Sequence, residues 1–220
     1  MTLFKRGMTE ALGTAFLLAG VVGSGIMAER LSGGNQAVAL LANTIATGAV
    51  LMCLIAALAP ISGAHLNPAV SLADAMQGGL PWRELPAYWL AQIFGALAGV
   101  ALANAMFGLP FFFVSHHART GPHLWLGEFI ATFGLLVVIW GCVRSRSNLT
   151  ALAVAAYIVA AYWFTSSTSF ANPAVTLARS LSDTFAGIRP ENAPAFVVAE
   201  LLGAMAATLV VGWIALERSK

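Results

Sequence analysis

Hydrophobic positions dominate this chain so heavily that no amphipathic period stands out. The informative pattern is the spacing of the polar interruptions. Apolar runs over about 7–28, 35–59, 84–107, 123–143, 149–166 and 193–216 each approach the roughly 20 residues that a helix needs to cross a hydrocarbon core, the fifth being the shortest. Connectors containing Gly, Pro and polar residues separate them, at 29–34, 108–122, 144–148 and 182–192. One motif occurs twice, 105 residues apart: Asn67-Pro68-Ala69-Val70, after Ser62-Gly63-Ala64-His65-Leu66, and Asn172-Pro173-Ala174-Val175, after Ser169-Phe170-Ala171. Asn is a favoured N-cap and Pro a favoured first helical residue, so each copy predicts a helix start. Each such helix has only about ten residues before Gly78-Gly79-Leu80-Pro81 or Ser182-Asp183-Thr184 stops it. Ten helical residues rise about 15 Å, half of a core about 30 Å thick. Two half-helices meeting N-terminus to N-terminus would therefore span one bilayer together.

The halves match beyond this motif. Glu10 heads Glu-Ala-Leu-Gly-Thr-Ala-Phe-Leu-Leu, and Glu128 heads Glu-Phe-Ile-Ala-Thr-Phe-Gly-Leu-Leu. Tyr88-x-x-Ala91-Gln92-x-x-Gly95-Ala96 matches Phe196-x-x-Ala199-Glu200-x-x-Gly203-Ala204. A repeat of three spans and one half-span has an odd number of crossings, so its second copy enters the membrane from the opposite side, and the two broken helices face each other at the midplane. The expected fold is an all-α membrane protein with six transmembrane helices and two re-entrant half-helices. It forms a single domain over 1–220, with inverted repeats over about 7–107 and 123–216. Gly13, Gly20, Gly95-x-x-x-Gly99 and Gly203-x-x-x-Ala207 read as close helix crossings.

Composition sharpens the compartment. Apolar residues make up 59% and charged residues 9%, against about 25% charge in soluble domains, which predicts an integral membrane protein. A net charge of +2 without a basic run argues against a nucleic-acid partner. Lys5, Arg6, Arg83, Arg144, Arg146, Arg218 and Lys220 fall on one side of the predicted topology, and Arg30, Arg119, Arg179 and Arg189 on the other. The excess predicts both termini in the cytoplasm. Lys5-Arg6 before an apolar run imitates a signal peptide, but the run is long and lacks a small-x-small cleavage site. Cys53 and Cys142 read as interior packing residues. His116, His117 and His123 have poor spacing for a metal, and no metal or cofactor is expected.

Glu10, Glu128 and Glu200 are carboxylates within spans, where such groups are costly. They fit a proton relay, or acceptors for backbone N–H groups of the irregular segments before the half-helices, which must be satisfied internally at membrane depth.

Six spans, an inverted repeat, Ser-Gly-Ala-His-Leu-Asn-Pro-Ala-Val in one half and Asn-Pro-Ala in the other resemble the aquaporin–glyceroporin, or major intrinsic protein, family over nearly the whole chain. The resemblance implies a passive, non-enzymatic channel and a homotetramer with one pore per subunit. It implies that Asn67 and Asn172 sit at the pore midplane, where half-helix dipoles repel cations and the two amides donate to passing molecules. It favours Glu10 and Glu128 as scaffolds for the loops, leaves Glu200 unassigned, and places His65 in the cytoplasmic half of the pore, as a lining or a structural hydrogen-bonding group.

The chain departs from that family at its selectivity filter. Where most members carry Arg, immediately after the second Asn-Pro-Ala, this chain has Val175. Spacing from the motifs assigns the other filter positions to Thr47, Ala160 and Ser169, with Ala160 exposed to an insertion in Thr165-Ser166-Ser167-Thr168-Ser169. Thr, Ala, Ser and Val make a wide, uncharged ring. That ring predicts passage of water and of solutes larger than water, such as glycerol, urea or neutral metalloid hydroxides like arsenous acid, across the inner (plasma) membrane of a bacterium. Val at this position resembles bacterial aquaporins associated with arsenical permeation. Arg179, one turn beyond Val175, reads either as a displaced gate charge or as a solvated side chain at a helix end. The competing readings are a water-selective aquaporin, an ion-coupled secondary transporter, whose midplane would need cation-coordinating groups, and a junctional protein with a closed pore.

Overall fold

The computed structural model describes residues 1–216. Arg218 and Lys220, counted above toward the cytoplasmic side, lie outside the described residues. Helices α1 (Leu3–Leu31), α2 (Gln36–Ser62), α3 (Pro68–Met76), α4 (Leu85–Met106), α5 (Pro122–Arg144), α6 (Thr150–Phe164), α7 (Pro173–Arg179) and α8 (Ala193–Leu216) make up the regular structure, with single 3-10 turns leading into α4 and α8. Local chemistry sets the boundaries. Asn35 caps α2 by accepting from the amides of Ala37 and Val38. Gly63, at φ 94°, ends α2 in the left-handed region, where a Cβ would be strained. Proline opens α3, α5 and α7 at a position whose N–H has no intrahelical partner.

Five of the long helices are apolar enough to cross a membrane. The sixth crossing is α6, with 15 residues, shorter than the run read from the sequence because the chain leaves the helix at Thr165. Helices α3 and α7 are the two half-helices, of 9 and 7 residues.

Helix α1 packs along α4 and α2, and α5 packs in the same way along α8 and α6. The close crossings are glycine-made. A Cβ at Gly95 or Gly99 would strike the Ala11 or Ala15 carbonyl of α1, and one at Gly203 would strike the Phe129 carbonyl of α5. The half-helices then exchange sides. Ala174, Val175 and Ala178 of α7 join the apolar cluster of α1 and α4, whereas Ala69, Val70 and Ala73 of α3 join that of α5 and α8. Cys53 departs from the interior reading and is exposed on α2, while Cys142 is half-buried.

Candidate pore and its filter

The half-helices meet at their N-termini through a reciprocal pair of hydrogen bonds. The Asn67 amide donates to the Ala171 carbonyl at 2.7 Å, and the Asn172 amide donates to the Leu66 carbonyl at 2.8 Å. Each carboxamide oxygen is also occupied at its own helix start. Oδ1 of Asn67 accepts from the Ala69 N–H, and that of Asn172 from the Ala174 and Val175 N–H groups. One N–H per amide remains, on side chains that line a cavity of about 340 Å³ between the two halves.

The segments leading into the two Asn residues repeat in backbone as well as in sequence. Ala64 and Leu66 before Asn67, and Ser169 and Ala171 before Asn172, all have φ between 48° and 51°. A left-handed non-glycine residue costs about 1–2 kcal/mol, so four need compensation. A buried carboxylate supplies it in each half. Glu10 accepts from the His65 and Leu66 amides and from the Ser62 hydroxyl, at 2.6–3.0 Å. Glu128 accepts from the Phe170 and Ala171 amides at 2.9 and 2.7 Å. Both are fully buried. The symmetry fails one helix further out. In the first half, the Gln92 amide donates to Glu10 and to Ser71, each at 2.9 Å. In the second, Glu200 stands at the Gln92 position and accepts from the Thr176 hydroxyl at 2.5 Å, while its other oxygen has no donor among the described residues.

Thr47, Ser169 and Val175 line the cavity. Ala160 does not, and here the structure corrects the assignment made by spacing. Thr150, Val154, Ile158 and Tyr162 form the stripe of α6 that faces the cavity, each four residues from the next, and Ala160 lies half a turn away on the exposed face. The residue beside Thr47 is Tyr162, whose hydroxyl approaches Thr47 Oγ1 at 3.4 Å. It is ten residues before Asn172, where the family spacing is twelve. A short turn takes up the difference: Thr165 bonds back to the Ala161 carbonyl, and Thr168 and Ser169 are both left-handed. The four-residue recurrence of that stripe was the available signal, and counting back from Asn172 missed it.

Arg179 also departs from the solvated reading. It is 3% exposed, lines the cavity, and stacks on Phe170 with its guanidinium carbon 3.4 Å from the ring centroid. At the α3 end His65 lines the cavity with Nδ1 3.1 Å from Ser71 Oγ and Nε2 3.5 Å from Asp74, an acid on α3 that sequence reading did not single out. His116 and His117, in the connector between α4 and α5, instead flank Asp183, which follows α7. Among the described residues no three His, Cys, Asp or Glu side chains are grouped to hold a metal.

An inverted pair of half-helices clasped at the centre of a helical bundle, around a lined cavity, defines a membrane channel. The family model described as "Major intrinsic protein" matches residues 1–166, three-quarters of the chain, which belongs to that family. The chain is 54% identical to "Aquaglyceroporin AqpS" of Rhizobium meliloti (strain 1021), over 96% of this chain and 91% of that protein. It is 36% identical to "Aquaporin NIP1-3" of Oryza sativa subsp. japonica, over 79% of this chain and 62% of that one. The solved structure of the aquaglyceroporin from Plasmodium falciparum superposes with a TM-score of 0.71 at 19% identity, covering 94% and 95% of the two chains, and shows the same fold. The protein is an integral membrane channel for water and small solutes, not an enzyme.

Proposed function

We propose that this channel conducts water together with uncharged solutes of glycerol size, including glycerol, urea and neutral metalloid hydroxides such as arsenous acid. The observation that carries the reading is Val175. It lies in the first turn of α7, 5% exposed and on the cavity wall, where it adds an apolar contact and no donor. Thr47 and Tyr162, whose hydroxyls lie 3.4 Å apart, supply polar groups of the same lining, while the Ser169 hydroxyl is buried behind it without a partner among the described residues. A lining that combines an apolar side chain with hydroxyls suits a polyol, which carries both carbon and oxygen surface. The name of the relative from Rhizobium meliloti, an aquaglyceroporin, supports the same solute class.

Asn67 and Asn172 serve as the midplane donors, Glu10 and Glu128 hold the two loops, and His65 lines the cytoplasmic half. The chain acts as one channel domain in the inner membrane of a bacterium, both termini inside. Arg6, bonded to Glu84, and Arg144 at the end of α5 support this orientation, with Arg30 and Arg119 at the other end of the bundle. A homotetramer follows from the family resemblance.

The test is stopped-flow light scattering on proteoliposomes matched for channel density. Val175→Arg places a guanidinium and its bulk in this wall, and is expected to cut glycerol, urea and arsenous acid flux much more than water flux. Val175→Ala is expected to leave large-solute flux equal or higher. Equal reduction of water and glycerol flux by Val175→Arg would sink the wide-pore reading.

A further inference from the structure

The guanidinium of Arg179 is the one feature of the cavity wall that the reading above leaves without a task. It is buried, and among the described residues no carboxylate oxygen comes within 4.0 Å of it. A buried charge without a counter-ion must be solvated by something. The protein provides one carbonyl, that of Ala186, which takes the Nε–H, and one aromatic face, that of Phe170. An arginine has five N–H donors. The four on the terminal nitrogens have no acceptor among the described residues, and neither nitrogen is sealed off from accessible space. Since the residue lines the cavity and is otherwise closed in, those donors open onto the lumen.

The surroundings fix this arrangement. Phe170 is buried, held edge-on by Phe196 at 5.3 Å between ring centroids, and carries a second arginine, Arg119, with its guanidinium carbon 5.2 Å from the ring centroid. Arg119 is tied down by the carbonyls of Gly187 and Phe185. One ring therefore accepts two cations, and the ring, the Ala186 carbonyl and the end of α7 leave the Arg179 side chain little freedom. The buried carboxyls of Glu128 and Glu200 are engaged elsewhere, with the Phe170 and Ala171 amides and with Thr176.

We propose that Arg179 is a specificity-determining residue of the external half of this pore: a fixed guanidinium, one turn outward from Val175, that repels cations and offers hydrogen-bond donors to the oxygens of a passing neutral solute. The proposal rests on the channel reading. It adds that the external barrier to cations is a side chain, so that exclusion does not depend on the midplane alone.

The test compares Arg179→Gln and Arg179→Lys with the wild type in proteoliposomes of matched density, reading sodium and proton leak beside water and glycerol flux. Arg179→Gln is expected to raise cation leak on the order of tenfold while water and glycerol still pass, because a unit charge on the wall of the lumen is removed. Arg179→Lys loses the planar stack and the Nε–H bond as Gln does, but keeps the charge. It is expected to group with the wild type at mildly acidic pH and to leak as external pH rises, with a midpoint below the ordinary lysine range because the site is buried, while the wild type stays tight. Should Arg179→Gln fail to insert, the pH dependence of Arg179→Lys still decides. Wild-type leak in both variants at every pH, or equal leak in both at every pH from mildly acidic upward, would make Arg179 a packing residue and overturn the proposal. A wild type that passes neither water nor glycerol would instead defeat the channel reading itself.

Discussion

At the residue scale, the two Asn side chains show why an amide is needed and a simple cap is not. Ser, Thr or Asp could accept from the first-turn amides, but Asp offers no N–H and Ser or Thr would have to donate with a much shorter side chain. Asn67 and Asn172 do both at once, and thereby tie each half-helix to the loop of the other. Asn172→Asp removes the donor to the Leu66 carbonyl and sets a carboxylate against it. We expect a sodium leak on the order of tenfold above wild type, from the negative charge at the point where the two half-helix dipoles converge. A folded Asn172→Asp channel without cation current would show that the midplane is not the barrier. Tyr162 carries a second residue-scale expectation. Tyr162→Ala widens the wall beside Thr47 and should raise glycerol and urea flux several-fold relative to water, whereas Ala160→Tyr, on the exposed face of α6, should leave the ratio unchanged; stopped-flow ratios of the two variants decide which α6 residue faces the solute.

At the element scale, the half-helices depend on loops that could not hold their shape alone. Four left-handed residues and the inward-turned amides around them are stabilised because Glu10 and Glu128 collect those N–H groups. In Glu128→Ala two buried amides lose their acceptor, at about 1–3 kcal/mol each. Glu128→Gln keeps one acceptor oxygen and should assemble better. Thermal unfolding of the purified channel in detergent is expected to rank wild type, Gln, Ala in falling order, and neither variant should make transport depend on a proton gradient. The unmatched pair in the second half gives a finer expectation. Glu200→Gln places an amide where Gln92 already works beside Glu10, so it should unfold within a few degrees of the wild type or above it. A large loss of stability would mean that the second carboxyl is itself required.

At the scale of the whole molecule, the halves are locked by exchange. Helix α7 is cored among the residues of α1 and α4, and α3 among those of α5 and α8. Each half-helix also packs on its own half, α3 on α4 and α7 on α8, and so bridges the two repeats. A rocking mechanism would have to break that exchange together with the Asn67–Ala171 and Asn172–Leu66 clasp. The expected transport behaviour is therefore that of a fixed pore. Glycerol flux should rise linearly with the gradient, without saturation, and should be indifferent to a protonophore. A saturating, protonophore-sensitive flux would point to a coupled transporter.

Much of this was written in the order of residues. Apolar runs of bilayer length fix the number and length of crossings because nothing but a helix can satisfy its backbone in hydrocarbon. Asn-Pro at two matched places dictates two helix starts from local capping chemistry, and the matched Glu10 and Glu128 announce that two loops need acceptors. The cavity lining was legible only in part. Thr47, Ser169 and Val175 sit on elements whose register is pinned close to an Asn-Pro start or to a helix without insertions, so counting from the motif reaches the cavity wall. The tertiary structure alone decided the rest. Two residues fewer between α6 and Asn172 rotate the wall from Ala160 to Tyr162, because a helix turns 100° per residue and a spacing rule carries no memory of a shortened turn. The fate of Arg179 was equally hidden, since a charged side chain at the end of a short helix is solvated by default. It is buried here because Phe170, which approaches it only through the fold, gives the guanidinium a face to lie on and leaves its remaining donors nowhere to turn but the pore.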